Sequence, residues 1–245
     1  HGVLSNVNSS EQSVRRRWYE AHRERFTSDA EEGIESDARY AGFRASAEEA
    51  LALLAGLTQT GELEPFRAGM QTWAVKRGTL AFNGASGQMM INQLIKRTED
   101  PAELARLLAD CLAAPATDEE ASEKICALVS YVESIRVGAH PAPGHVPFLL
   151  SYFWGMADHD RWPVIWASGA NFIEYSTGEP FPSEPGARYL RYLERTRELT
   201  SDCSEFESVA EWWRSTKPVF LGPVLVDRCA YGADAEDLSH EELES

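Results

Sequence analysis

The loop Asn83-Gly84-Ala85-Ser86-Gly87-Gln88 is one of the few places in this sequence where residue types and spacing could do chemistry. Glycines just ahead of a helix can turn backbone N–H groups toward a phosphate, because the first N–H groups of a helix have no partner within it. Lys76 and Arg77 stand just upstream and could complete a small anion site. A nucleotide-binding P-loop, however, needs GxxxxGK[ST], and the residues after Gly87 are Gln88 and Met89. No lysine is placed to reach the phosphates. The competing reading is a structural turn whose glycines permit close packing.

His140 and His145 flank a proline-rich loop, and His159 lies between Asp158 and Asp160. Three imidazoles could serve as metal ligands or as acid–base groups. Ligand sets come with tight spacing such as HExxH, which is missing here, so Asp158-His159-Asp160 reads as a helix-ending turn. There is no GxSxG elbow, paired-carboxylate motif or Cys–His pairing with local support. Cys111, Cys126, Cys203 and Cys229 are widely spaced and form no CxxC pair. They read as free thiols in a reducing compartment, and neither a metal nor a cofactor is expected. Arg17 and His22 have the spacing of the R-x4-H element of HEPN ribonucleases, in which both side chains act on an RNA phosphodiester from one helix face. The polar residue usual after that arginine is replaced by Trp18, and a solvated basic helix is the competing reading. Trp154, Trp162 and Trp166 could stack on an extruded base, but they are spaced among apolar residues as core aromatics are. Trp162 is the member retained as a candidate contact.

The elements that must position these residues are helices. Ser46 with Glu49, Asp100 with Glu103, Thr117 with Glu120 and Ser204 with Glu207 each fit a capping box ahead of an apolar-periodic run. Ala121, Ile125, Leu128, Val129, Val132 and Ile135 form one stripe over 118–136. Leu104, Leu107, Leu108, Cys111 and Leu112 do the same over 101–113. Leu63, Phe66, Met70 and Trp73 mark an earlier helix, and 88–97 and 147–156 are apolar nearly all round, as buried helices are. Tyr189, Leu190, Leu193 and Leu199 line a later helix that Pro185 begins. Only KPVFLGPVLVDRC has the β-branched character of a strand. The fold class is therefore mainly α, a single helical domain of about eight helices with a short extended segment near the C-terminus. Residues 1–45 read as a basic helix and polar segment, 46–232 as the helical domain, and 233–245 as an acidic linker or tail.

The chain has 245 residues and a net charge of −16, which repels polyanions and leaves nucleic-acid binding dependent on a local basic patch. No run of eighteen apolar residues is present, so no membrane partner is expected and the chain reads as soluble and cytoplasmic. No signal-peptide core follows His1, and the sequence reads as a fragment of a longer protein.

Taken together, LAFNGASGQMMINQL, SYFWGMADHDRWPVIWASG and ESVAEWW resemble the helical region upstream of the ATPase in McrB-like restriction proteins, over roughly residues 78–215. Asn83, Gly84, Gly87, Asn92, Gln93, Phe153, Trp154, Trp162 and Pro163 match that pattern. The resemblance implies a non-catalytic recognition or assembly module of an antiviral DNA-restriction system, with an NTP-dependent motor domain in the same or a partner chain and DNA as a further partner. The strongly acidic charge departs from what direct DNA recognition would favour. The alternatives are a stand-alone HEPN-like ribonuclease using Arg17 and His22, and a protein–protein adaptor.

Overall fold

A computed structural model describes residues 46–76, Phe82, 84–158, 161–165, Ala170, Glu174 and 179–202. Within them the protein is helical. Helix α1 covers residues 46–60, followed by α2 (Leu63–Lys76), α3 (Gln88–Arg97), α4 (Pro101–Leu112) and α5 (Asp118–Ile135). A 3-10 turn (Pro143–His145) leads into α6 (Val146–Ala157), and α7 (Pro185–Asp202) comes last. The mainly helical single domain expected from periodicity is what forms: seven helical elements from Leu63 to Asp202, besides residues 46–60. No strand occurs among the described residues, where the only bridge pairs Val137 with His140. The expected N-terminal basic helix, the Ser204 cap, the extended segment around 217–229 and the acidic tail lie outside the described residues. No described helix is long and apolar enough to cross a membrane.

Local chemistry sets the helix starts. The Asp100 carboxylate accepts the Glu103 N–H at 2.9 Å, and Pro101 occupies the first turn, where a missing N–H costs nothing. Thr117 Oγ1 accepts the Glu120 N–H at 3.1 Å, while Glu120 reaches back to the Ala116 N–H at 2.6 Å, one residue earlier than a capping box would place it. Glu184 starts α7 by accepting the N–H groups of Gly186 and Ala187. Helix α3 departs from expectation. It is not buried all round but amphipathic, with Gln88, Met90, Ile91 and Leu94 inside and Met89 48% exposed. Its lysine and arginine gather in the last turn, where they complement the helix dipole and hold that end in water.

Helix α6 is the centre of the core. From Val146 to Met156 every side chain but that of Phe148 is buried, and α4, α5 and α7 pack around it. A helix with no polar face needs cover on all sides, and three amphipathic neighbours supply it. The ends of the aromatic core are joined by ring contacts: Phe82 meets Tyr152 at 4.8 Å, and Trp154 meets Tyr189 at 5.5 Å and Trp162 at 5.8 Å, both edge-on. Trp73 donates its indole N–H to the Ser46 carbonyl at 2.6 Å, fixing α1 to the end of α2.

The most extensive helix pair is α5 with α7. It depends on Gly186, because a Cβ there would lie 2.5 Å from Ser122 Oγ and 3.1 Å from both Ser122 O and Cys126 Sγ. Gly186→Ala is expected to cost about 1–3 kcal/mol through displacement of α7 from α5. Chemical denaturation checks this, and an unchanged unfolding midpoint would contradict so close a crossing.

Candidate functional site

The glycine loop is built for packing. Gln88 N–H donates to the Phe82 carbonyl at 2.7 Å, Gly87 N–H to Gly84 O at 3.2 Å, and Met89 N–H to Gly84 O at 3.4 Å. The groups at the start of α3 that an anion would need are therefore directed at the loop's own carbonyls. A Cβ on Gly87 would stand 2.2 Å from Phe82 O, so the glycine is required by that close approach. Gln88 is 4% exposed and points between helices, donating to Asn92 Oδ1 at 3.1 Å and toward Arg67 O at 3.5 Å. Gly84 is exposed and Ser86 half-buried. Arg77, Asn83 and the Lys76 side chain lie outside the described residues. The N–H groups of Gly87, Gln88 and Met89 thus already have acceptors, which favours the structural-turn reading of this loop over the anion site.

Trp162 also changes status. It is 1% exposed, its ring edge-on to Trp154 and covered by the Arg161 guanidinium 5.0 Å from its centroid. A ring in that position cannot stack on a base, and its place as a candidate contact is withdrawn. The segment around it is held from both sides. Tyr189 and Tyr192 donate to the carbonyls of Pro163 and Val164, each at 3.1 Å, and Ser151 Oγ accepts the Ile165 N–H at 3.1 Å. Arg161 donates to Ala116 O. Asp158 does end α6, its N–H on the Trp154 carbonyl at 2.8 Å. His159, Asp160 and Trp166 lie outside the described residues, as do Arg17 and His22. His140 is exposed and His145 half-buried, and no group of three or more His, Cys, Asp or Glu side chains among the described residues could hold a metal ion.

Two arrangements carry more chemistry than sequence spacing showed. Lys124, 7% exposed, inserts from α5 to the end of α4 and donates to the carbonyls of Asp110 at 2.9 Å and Ala113 at 3.0 Å, with Glu120 at 3.1 Å. It caps a helix C-terminus from a neighbouring helix. Beside it, burial pushes the Cys111 thiol up to about 12, with Asp110 adding to the rise and Lys124 opposing it. That thiol is inert as a nucleophile. The half-buried Cys126 donates to Glu184 at 3.1 Å, and burial and that carboxylate raise its pKa too.

The second arrangement is an arginine face on α7. Arg188, Arg191 and Arg195 recur at helical spacing and meet two carboxylates from the preceding segment. Glu174 takes Arg188 in a fork, at 3.0 and 3.2 Å, and also accepts the Phe181 N–H at 2.6 Å. Glu179 takes both Arg191 and Arg195, and Glu194 shares Arg191. Burial alone would raise the Glu174 carboxyl, but Arg188 and the Phe181 N–H outweigh it and hold it below the ordinary range. Hydrogen bonds from Arg195 and Arg191 lower Glu179 in the same way. The arginine spacing was legible in the sequence. The partners were not, since Glu174 and Glu179 lie twelve or more residues upstream of the arginines they bind.

No protein-family model, curated protein or solved structure matches this chain.

Gly87→Ala is expected to cost on the order of 1–3 kcal/mol, and titration of the intact chain with inorganic phosphate is expected to leave the amide signals of residues 84–89 unmoved. Saturable shifts of those amides would restore the anion site.

Proposed function

We propose that this chain is a non-catalytic recognition or assembly module of an antiviral DNA-restriction system of the McrB-like kind, working with an NTP-dependent motor in the same or a partner chain. The observation that carries the reading is the role of the residues behind the resemblance. Gly87, Phe153, Trp154, Trp162 and Pro163 are buried, Asn92 and Gln93 are half-buried and Gly84 is exposed, and no group of three or more His, Cys, Asp or Glu among the described residues could hold a metal ion. Side chains that a catalyst would leave free are used here to hold helices: Lys124 caps α4, Tyr189 and Tyr192 hold 163–164, and Ser151 holds Ile165.

Assembly has more support than direct DNA contact by the resting surface. Arg67 pairs with Glu64, Arg136 with Glu133 and Arg197 with Asp118, and the α7 arginines with Glu174, Glu179 and Glu194. A guanidinium committed to a carboxylate contributes little to counterion release from a phosphate backbone.

The test is mixing the chain with the P-loop ATPase fused to it or encoded beside it. Association on a sizing column and altered nucleoside triphosphate turnover are the expected outcome. Absence of both would overturn the proposal, and RNA cleavage by the chain that His22→Ala abolishes would put the ribonuclease reading in its place.

A further inference from the structure

We draw no further inference here: the strongest candidate, the half-buried Cys126 thiol that donates to Glu184 where α5 crosses α7 beside Gly186, is a lone cysteine with no second feature among the described residues to mark a ligand.

Discussion

The packing of α4, α6 and α7 against one another turns on the burial of Trp154, which is fully buried. An indole placed at full burial must find an acceptor for its N–H, since an unpaired buried donor costs about 1–3 kcal/mol. Trp154 finds the Cys111 carbonyl at 2.9 Å, near the end of α4. That one bond aligns α6 with α4, and the ring faces then receive Trp162 from the following segment and Tyr189 from α7. Lys124 donates to the carbonyls of Asp110 and Ala113 on either side of Cys111. The C-terminus of α4 is thus completed from α5 and α6 together, and these three helices are coupled through it.

A second constraint is charge. With Asp and Glu well in excess of Lys and Arg, Arg67, Arg136, Arg188, Arg191, Arg195 and Arg197 each stand beside a carboxylate. Isolated exposed pairs such as Arg136 with Glu133 contribute little, roughly 0–1 kcal/mol. The network on α7 differs because Arg195 is nearly buried and Glu179 bridges two guanidinium groups. Its effect is to fix Glu174 and Glu179 against α7. The aromatic handle is Phe181, packed under Arg188 at 5.3 Å.

The helices were legible because their signals are local. Capping residues at Asp100 and Thr117 and the apolar stripes of α4 and α5 lie within a few residues of what they control. The buried character of α6 was legible for the same reason, as a run with no polar side long enough to face water. What sequence could not give is the destination of groups that reach across the fold. The glycine spacing of the Gly87 loop suits an anion cradle as well as a packing turn, and only the fold shows that Phe82 O accepts the Gln88 N–H and stands against Gly87. Trp162 has the ring of a base-stacking contact and the spacing of a core aromatic, and Trp154, eight residues earlier, receives it in the core. Helix α3, expected to be buried all round, turns Met90, Ile91 and Leu94 inward and Met89 and Lys96 outward, a polarity that the spacing of Asn92, Gln93, Lys96 and Arg97 already carries.

The central claim is that the aromatic segment is a structural keystone, with the indole–carbonyl bond from Trp154 to Cys111 as its key contact. Urea unfolding of Trp154→Phe, followed by near-ultraviolet circular dichroism, tests it most directly. The account predicts one cooperative transition moved to lower urea by about 1–3 kcal/mol, as expected when a buried carbonyl loses its donor. A loss within about 0.5 kcal/mol, the range of an ordinary surface substitution, would contradict it.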